Sequence, residues 1–422
     1  MYNLKVEAER LMKILLKDGY ESRFIGPYPY LKYHNAAHND KLRTKDVQFV
    51  TSAPLEVLQK HFNVIKVNND YVKNCIVQTE LKQNLTDFKV YYSNDYISKV
   101  DGNVIPINNL HDILKNVNFL LETITIDLSG KMHCIEKDNP NGYDAIKSGE
   151  LMANGDFEEL IKKNPLAMLE CCIYSSNIPY PLPDGYKDII KKNYEYLKYE
   201  NMEDIIDRVY QLISSNEPLI GFNIIKRTLS DYEYNGIKVF EFVNYLDGKE
   251  DIVKLGNDDF ISRWAFLLNG MPQEVIERTI DTFNLDKGKL LWLIKNFNLP
   301  RSENLKEDIY KLSKTIPEIN KTRRHNIFTL YHMLNTLSKI YKILDPENEK
   351  KYTFMVDLTC ARPFYNDQVL YEDEDIEKII GKPLGDNLEN YKTQLVKTIL
   401  MMDRHPDDDE YLDVMKDVAK NF

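Results

Sequence analysis

The chain has 422 residues, which is too long for one ordinary domain and comfortable for two to four. Hydrophobic residues make up 43% and charged residues 29%, so the chain is neither disordered nor fibrous. The 66 acidic residues outnumber the 55 basic ones, and the formal charge of −11 disfavours indiscriminate attraction to nucleic acid or anionic lipid. Any contact with nucleic acid must therefore be local.

The cysteines and the lengths of the apolar runs indicate the cellular compartment of the protein. The five cysteines include the adjacent pair Cys171 and Cys172, which is typical of reduced thiols rather than a disulfide framework. No run approaches eighteen apolar residues, and residues 1–16 have the pattern of a charged amphipathic helix rather than a signal peptide. We expect a cytoplasmic protein that does not enter a membrane.

The first third of the chain carries the β character. Short runs of β-branched and apolar residues alternate with Asn, Asp, Gly and Pro clusters that favour turns. Between the second and third runs, Ala53 and Pro54 begin a helix in which Leu55, Leu58 and Phe62 recur at helical spacing. The pattern predicts an α+β unit with a small mixed sheet rather than a parallel dinucleotide fold. The predicted strands are residues 23–25, 46–51, 63–67, 75–79, 88–92 and 121–128.

From about Asn141 onward, apolar residues recur with the period of an α-helix. Pro and Gly residues separate these stretches, and no fixed-period repeat indicates a solenoid. The remaining two thirds of the chain are therefore predicted to be mostly α-helical. The clearest apolar stripes lie at residues 160–173, 194–213, 261–268, 275–283, 290–297, 327–344 and 391–401.

Two segments near the N-terminus have the order of a nucleotidyltransferase head. Residues 23–30 read Arg-Phe-Ile-Gly-Pro-Tyr-Pro-Tyr, and after a variable loop residues 45–54 read Lys-Asp-Val-Gln-Phe-Val-Thr-Ser-Ala-Pro before a helix. The pair resembles the family of class II bacterial CCA-adding tRNA nucleotidyltransferases and poly(A) polymerases, in which a strand ends in a Gly-Gly turn and the next carries Asp-x-Asp. There, two carboxylates hold two Mg²⁺ ions that clamp a nucleoside triphosphate and activate a hydroxyl.

Further matches to this family follow in the family's order along nearly the whole chain. They are Asp-Leu-Ser-Gly at 127–130, Asn-Pro-Leu-Ala-Met-Leu at 164–169, the helix at 203–213, Arg-Trp-Ala-Phe-Leu-Leu at 263–268 and Gly-Lys-Pro-Leu-Gly at 381–385. The resemblance implies an α+β nucleotidyltransferase-like head followed by a mostly α-helical neck, body and tail. The implied boundaries are 1–135 for the head, 136–200 for the neck, 201–300 for the body and 301–422 for the tail.

The polar positions of the implied catalytic site depart from the family pattern. Gln48 stands where the second carboxylate is expected, so Asp46 alone remains of the metal pair, and an amide is a poor Mg²⁺ ligand. Lys89, on a strand where relatives often have an acidic residue, would repel a metal. The apolar positions around these residues persist, which is typical of a fold retained without its chemistry. The degenerate nucleotide-binding positions are Gly26, Asn118, Asn164 and Ala167.

We expect a degenerate tRNA nucleotidyltransferase-like protein that lacks CCA addition and acts by binding tRNA-like RNA or a protein partner. Such a protein needs no cofactor, whereas an active enzyme would need Mg²⁺. Lysines interleaved with tyrosines suit RNA contact, although a solvated amphipathic helix is the alternative interpretation of the same stretch. The candidate RNA-binding residues are Lys187, Lys191, Lys192, Tyr194 and Lys198.

Two other functions stay open. In one, the chain is an active nucleotidyltransferase whose metal site is rebuilt from nearby acids, with Asp40, Asp87, Asp95 and Asp112 as the candidates. In the other, it is a regulatory or structural interaction protein of a phage or mobile element, which the net charge mildly favours over RNA binding. Relatives of this shape are commonly dimers, so a homodimer, or a heterodimer with a related chain, is compatible with the sequence.

Three weaker patterns resemble metal sites but are interpreted otherwise. His34 and His38 have the four-residue spacing of two ligands on a helix, yet they fall in a predicted loop. The His111-Asp112 dipeptide fits a helix cap or a surface pair. The acidic clusters at 372–375 and 407–410 fit solvated faces.

Overall fold

A computed structural model describes residues 2–44, 46–68, 72–81, 84–97, 100–135, 140–297, 305–316 and 323–422. The chain forms two compact units, Met1–Asn244 and Tyr245–Phe422. The finer division at residues 135, 200 and 300 stays a prediction. Within the described ranges, no helix has both the length and the apolar character needed to cross a bilayer.

The strands of the first unit lie mainly in its N-terminal half. They are β1 (Ser22–Ile25), β2 (Gln48–Thr51), β3 (Asn63–Asn68), β4 (Asn74–Leu81), β5 (Asn84–Tyr91), β6 (Tyr96–Ile97), β7 (Val104–Ile105), β8 (Thr125–Ile126), β9 (Met132–His133), β10 (Glu233–Tyr234) and β11 (Ile237–Lys238). Seven of them form one sheet in the order β3-β4-β5-β2-β1-β8-β9. β2 and β5 are parallel and the other pairs are antiparallel, so the sheet is mixed, as predicted.

The helices of the first unit flank this sheet and then continue without it. They are α1 (Tyr2–Lys17), α2 (Pro27–His38), α3 (Leu55–His61), α4 (Leu110–Lys115), α5 (Gly142–Ser148), α6 (Phe157–Lys163), α7 (Ala167–Asn177), α8 (Tyr186–Asn193), α9 (Met202–Ile213) and α10 (Pro218–Thr228). Two short 3₁₀ segments also matter for the site, Leu120–Thr123 and Tyr194–Tyr199. The predicted fold class, an α+β head followed by a mostly helical chain, is confirmed.

Alternation along the central strands places apolar side chains on both faces of the sheet. Phe24 and Phe49 are partners across β1 and β2, and both are buried in a cluster with residues of α1 and α3. Their chain neighbours Ile25 and Val50 are buried in a second cluster with residues of α4. The two clusters hold the sheet between helical layers and fix the ends of β1 and β2, where the predicted site lies.

The segment after β1 is helical, although the sequence pattern predicted a loop. Gly26 has a φ of +76°, which turns the chain sharply, and Pro27 occupies the first turn of α2, where its missing amide hydrogen costs no helical bond. The helix ends at His38 and is capped by Asn39, which has a φ of +54° and donates its amide to the Asn35 carbonyl. His34 and His38 therefore lie on a helix.

Two predicted strands are shorter than the sequence pattern indicated. β2 begins at Gln48, so Asp46 precedes the strand, and its amide donates to Thr44 Oγ1 at 2.9 Å. In place of a strand at 121–128, a 3₁₀ turn precedes β8, because the Phe119 amide donates to the Glu122 carboxylate at 3.0 Å. In both places a local hydrogen bond between side chain and backbone overrides the β propensity of the segment.

In the rest of the first unit, α10 packs closely against α7 and α9 at Gly221. A Cβ at this position would lie 2.4 Å from Leu212 Cδ1 and 2.7 Å from the Cys172 carbonyl oxygen, so the contact requires glycine. The predicted helical stripe at 194–213 is divided, because the 3₁₀ segment Tyr194–Tyr199 precedes α9.

The second unit is built of helices in the parts that the structure describes. Trp264 and Arg263 of its first helix are fully buried. The Arg263 guanidinium donates to the Leu255 carbonyl at 2.9 Å and to Asn257 Oδ1 at 2.8 Å, which compensates for burying its charge. These helices are α11 (Phe260–Leu268), α12 (Gln273–Thr282), α13 (Lys287–Lys295), α14 (Leu305–Ser313), α15 (Arg323–Leu344), α16 (Glu349–Ala361), α17 (Asp373–Ile380), α18 (Leu388–Met401) and α19 (Asp408–Ala419).

Candidate functional site

A cavity of about 310 Å³ lies in the first unit, where the central strands approach α2, α7 and α9. Four predicted site residues line it, namely Asp46, Gln48, Asn118 and Asn164. They come from segments that are far apart in the sequence, and the fold brings them together. Among the residues that the structure describes, the other polar ones that line the cavity are Tyr30, Asn74, Lys89, Tyr91, Glu122, Glu170, Tyr174, Asn177, Arg208, Gln211 and Ser214.

Asp46 and Gln48 are in direct contact at the entrance to β2. The Gln48 amide nitrogen donates a hydrogen bond to Asp46 Oδ2. Although the Asp46 side chain is open to water on one side, the surrounding protein raises its pKa, because desolvation outweighs the Gln48 hydrogen bond and the positive charge of Lys89. The Asp46 carboxylate, which the sequence predicted as a metal ligand, is thus hydrogen-bonded by Gln48, the residue that stands where a second carboxylate was expected.

Gly26 fixes the space in which the Gln48 side chain lies. A Cβ at Gly26 would come within 2.8 Å of Gln48 Oε1, and its φ of +76° is one that other residues rarely adopt. Gly26 does not itself line the cavity, but it allows β1 to end directly against Gln48.

A chain of hydrogen bonds joins the polar groups on the helical side of the cavity. Asn164 Nδ2 donates to Asn118 Oδ1 at 3.0 Å, and Asn118 Nδ2 donates to Glu170. The second oxygen of Glu170 accepts from Arg208 Nε at 3.0 Å, and the guanidinium forms an ion pair with it. Both charged side chains are largely buried, with 7% of Arg208 and 17% of Glu170 exposed. The positive charge of Arg208 is therefore compensated within the protein.

Glu122 is a buried carboxyl in the lining of the cavity. It accepts hydrogen bonds from the Tyr174 hydroxyl at 2.6 Å and from the Phe119 amide at 3.0 Å. Burial, and next the negative charge of Glu170, raise the pKa of Glu122 to about 7. Glu122 consequently exchanges a proton near neutral pH, while Asp46, which also lines the cavity, is more open to water.

The remaining predicted positions lie elsewhere. Ala167 is fully buried at the start of α7 and does not line the cavity. The four acids considered for a rebuilt metal site make local hydrogen bonds and do not line the cavity either: Asp40 with the Lys41 amide, Asp87 with Gln78, Asp95 with the Ile107 amide and Asp112 with Asn109. The structure does not bring these four together with Asp46.

The side chains around Asp46 do not offer the ligand atoms that a pair of Mg²⁺ ions needs. Mg²⁺ prefers carboxylate and water oxygens in octahedral geometry, whereas Gln48 turns an N–H group toward the Asp46 carboxylate. The ammonium group of Lys89 acts electrostatically on the same carboxylate. Throughout the described ranges, no three His, Cys, Asp or Glu side chains are grouped in a way that could hold a metal ion.

Sequence reasoning missed Glu122 and Arg208 as site residues. Glu122 was overlooked because it fell within the predicted strand at 121–128. Its position three residues after Phe119 is typical of a residue that caps a helical turn, and this spacing could have identified it. Arg208 lies on the same face of α9 as the buried residues Ile205 and Val209. A charge on the apolar face of an amphipathic helix indicates a buried partner, which here is Glu170.

The predicted RNA-binding residues form a separate surface, called here the basic surface (Lys187, Lys191, Lys192, Tyr194 and Lys198). They lie on α8 and the 3₁₀ segment that follows it. All four lysines are exposed and Tyr194 is half-buried. Lys192 forms an ion pair with Glu158 at 3.0 Å, and Lys198 lies 5.3 Å from the centre of the Tyr199 ring. The four lysines of the basic surface are therefore accessible to solvent, and one of them, Lys192, is also paired with an acidic residue of α6.

The two histidines of α2 have structural partners. His34 is buried, and its Nδ1 lies 2.7 Å from the Tyr180 hydroxyl, while its Nε2 lies 3.3 Å from Asp40. His38 Nε2 lies 2.6 Å from the Ile146 carbonyl oxygen, so it donates there. These contacts tie α2 to α5 and to the chain after α7, and so they position Tyr30 at the cavity.

The chain thus has an α+β head with a polar cavity, followed by a mostly helical C-terminal part. No family model matches the chain. A CCA-adding enzyme of Lactobacillus helveticus is 24% identical over 204 residues, which are 47% of this chain and 48% of that protein. The match therefore spans about half the length of this curated relative.

Solved structures show the same fold over a longer span. The Bacillus stearothermophilus CCA-adding enzyme in complex with CTP is 15% identical and covers 98% of both chains with a TM-score of 0.61. Another CCA-adding enzyme, solved with ATP, is 13% identical and covers 100% of this chain and 96% of its own with a TM-score of 0.52. The chain has the fold of the class II CCA-adding enzymes, and its resemblance to that family is confirmed.

Proposed function

We propose that this chain is a nucleotidyltransferase-like protein that does not add CCA and that binds tRNA-like RNA through its basic surface. The contact between Gln48 and Asp46 carries the first half of the proposal. CCA addition would require a nucleotide triphosphate to be held by metal ions while a terminal hydroxyl attacks. One carboxylate, hydrogen-bonded to an amide and close to a lysine, supplies too little negative charge for two metal ions.

The loss of one metal-binding carboxylate is expected to have a large effect on transfer. Charge that develops on the phosphoryl group and on the attacking oxygen is stabilised mainly by such fixed charges, and removing one electrostatic contact commonly slows a reaction about 10²- to 10³-fold. Here the replacement of a carboxylate by Gln48 also removes the two-carboxylate arrangement that would hold both metal ions. We therefore expect no incorporation rather than slow incorporation.

The basic surface supports the RNA-binding half of the proposal. Its four lysines are exposed within one stretch of fourteen residues, Tyr186 to Tyr199, in a chain whose total charge is −11. Lysine side chains contact phosphate oxygens, and tyrosine rings stack on unpaired bases. The named relatives are CCA-adding enzymes, so tRNA and RNAs that share its acceptor end are the first RNAs to test.

The direct test is an incorporation assay. The purified protein is incubated with Mg²⁺, labelled CTP or ATP, and tRNA that lacks its terminal CCA, beside an active CCA-adding enzyme as the positive control. We expect no label in the RNA. Incorporation by the wild-type chain that is lost in Asp46→Asn would refute the proposal, because it would make Asp46 a working metal ligand.

A restored carboxylate tests the reason for the loss. Gln48→Asp places a second carboxylate beside Asp46, and we expect this variant to bind Mn²⁺, used as a Mg²⁺ substitute, at least tenfold more tightly than the wild type in calorimetry. The matched control is Gln78→Asp, which puts a new carboxylate beside Asp87 outside the cavity, where Gln78 now donates to Asp87 at 3.0 Å. Equal gains in both variants would show that the position of Gln48 is not special.

RNA binding is tested by gel shift at low and moderate salt. Reversing two charges in Lys191→Glu/Lys192→Glu should weaken binding of a tRNA transcript at least tenfold and reduce the salt dependence. The control, Lys350→Glu/Lys351→Glu, makes the same change at the start of α16. If the wild type gives no shift at any salt, RNA binding is refuted and the alternative of a protein partner is favoured.

A further inference from the structure

A groove of about 480 Å³ lies in the first unit between α10 and the segment that joins α7 to α8, and it is called here the proline groove. Its described lining falls between residues 175 and 227, a stretch that the structure describes without a gap. One wall is a single face of α10, because its residues recur at the i, i+3, i+4 and i+7 positions of a helix. These residues are Ile220, Asn223, Ile224 and Arg227.

The apolar part of the proline groove is open to solvent at one end. Ile220 is 45% exposed, whereas Ile224, one turn further along α10, is buried. The segment between α7 and α8 adds the rings of Pro179 and Pro181 and the side chain of Leu182. An apolar side chain of a partner that covered this surface would remove it from water, which favours binding.

Two cations border this apolar surface. Lys187 on α8 and Arg227 on α10 both line the groove, and both are exposed. Neither forms an ion pair with an acidic side chain in the part of the chain that the structure describes. In a chain whose formal charge is −11, two accessible cations without an internal partner form a local site that attracts carboxylates.

Ser175 of α7 adds a buried polar group to the lining. It is 3% exposed, and its hydroxyl has no hydrogen-bond partner among the described residues. The next residue, Ser176, instead donates to the Cys172 carbonyl at 2.8 Å, as serines within helices commonly do. A buried hydroxyl without a partner is costly, and a backbone carbonyl of a bound segment would satisfy it.

A peptide suits this groove better than RNA does. Bases bind to proteins chiefly by stacking on flat aromatic rings, whereas these walls consist of aliphatic side chains and proline rings. Tyr180 also belongs to the lining, but it is only 4% exposed, and its hydroxyl is bonded to His34 and to the Ile146 carbonyl. Its ring is therefore not free to stack on a base.

The length of the groove sets the spacing of the groups that it can bind. From Ile220 to Arg227, α10 rises about 10 Å, at about 1.5 Å per residue. An extended peptide covers this distance in about three residues, at about 3.3 Å each. An apolar side chain beside Ile220 and a carboxylate beside Arg227 are therefore about three residues apart.

We propose that the proline groove binds an extended segment of a partner protein, in which an apolar residue and an Asp or Glu lie about three residues apart. The apolar side chain packs against Ile220 and Leu182, and the carboxylate pairs with Arg227 and Lys187. This inference goes beyond the proposed function, with which it shares Lys187 of the basic surface.

The first test is a selection of peptides on the full-length protein. A random peptide library displayed on phage is panned against the wild-type chain, and the selected peptides are synthesised and titrated by fluorescence anisotropy. We expect them to share an apolar residue with an acidic residue about three positions away, and to bind more weakly as salt rises. A library that yields no binder, or binders without an acidic residue, would overturn the inference.

The second test places the selected peptides in the groove. Arg227→Glu should weaken their binding at least tenfold, because it turns an attraction into a repulsion. Lys416→Glu makes the same change of charge at an exposed position of α19 and should leave the affinity unchanged. Equal affinities for the wild type and for a folded Arg227→Glu protein would contradict the proposed site.

The apolar contact is tested in the same assay. Ile220→Ser should weaken binding at least threefold, since it removes the exposed apolar side chain at the open end of the groove. The matched control is Leu370→Ser, which makes a similar change at a side chain of the second unit that is 59% exposed. A loss that is the same in both variants would show that Ile220 has no special role.

This inference and the proposed function can fail separately. If no peptide is selected, and Arg227→Glu weakens the gel shift of tRNA as strongly as Lys191→Glu/Lys192→Glu does, the groove belongs to the RNA-binding surface. In that case the inference is wrong while RNA binding stands. If the selected peptides bind as expected and tRNA gives no shift, the inference stands while RNA binding is refuted.

Discussion

Glu122→Gln is expected to remove a pH-dependent loss of stability from the first unit. The Glu122 carboxyl is buried beside Glu170, and both of its oxygens are hydrogen-bonded, one by Tyr174 and one by the Phe119 amide. Its pKa is raised from the ordinary 4.5 to about 7. A carboxyl with a raised pKa binds its proton more tightly in the folded chain than in the unfolded chain, so the folded state loses stability as pH rises between these two values.

The size of this effect follows from the two pKa values. A difference of about 2.5 units between 4.5 and about 7 corresponds to about 3 kcal/mol at full ionisation, and about 2–3 kcal/mol of it falls between pH 5 and pH 8. Glutamine carries no titrating proton, so the variant lacks this slope. It also loses one of the two accepted hydrogen bonds, a constant cost of about 1 kcal/mol at every pH.

The assay is urea unfolding of both proteins, followed by far-ultraviolet circular dichroism at several pH values from 5 to 8. Tryptophan fluorescence reports the unfolding of the second unit alone, because Trp264 and Trp292 both lie in it. Comparing the fluorescence with the circular dichroism therefore distinguishes the unfolding of the first unit from that of the second. At pH 5 the wild type should be the more stable of the two, and by pH 8 the order should be reversed. A difference in unfolding free energy that stays constant across this range would refute the raised pKa of Glu122.

Two further substitutions test the geometry of the cavity. Gly26→Ala should lower the free energy of unfolding by about 1–3 kcal/mol, because the new Cβ strains a backbone with positive φ and also meets the Gln48 side chain. The control is Gly130→Ala, at a φ of +84° with no atom within 4 Å of the new Cβ. It should show only the backbone strain, about 1 kcal/mol. Arg208→Leu should cost about 3 kcal/mol because it leaves Glu170 without its cation, and adding Glu170→Gln should recover much of this loss. Strictly additive losses in the double variant would contradict that coupling.

Much of the fold followed from local patterns. Strand-length runs with apolar residues on both faces predicted β1, β3, β4 and β5, and the helical period predicted the stripes that became α11, α12, α13, α15 and α18. The secondary-structure predictions failed where individual residues override the local pattern of apolar and turn-forming residues. Glu122 turns the chain into a 3₁₀ segment, and Gly26 with Pro27 begins a helix where turn-forming residues indicated a loop.

The sequence by itself determined at which positions the chain departs from the family that it resembles. The identity of Gln48 in a motif that otherwise resembles Asp-x-Asp is visible without coordinates, as are the asparagines at 118 and 164. These positions could be found because their neighbours keep the order and spacing of a known family. The same order along the chain predicted the sheet-bearing head and the helices that follow it.

Only the tertiary structure decided what surrounds those positions. Glu170 and Arg208 lie on different helices, and their pairing with Asn118 depends on how α7 and α9 meet the sheet. The pKa of Glu122 depends on its burial and on the nearby charge of Glu170, which no local pattern encodes. The chemistry of a cavity is set by distances between segments that are remote in sequence, because desolvation and charge act through space rather than along the chain.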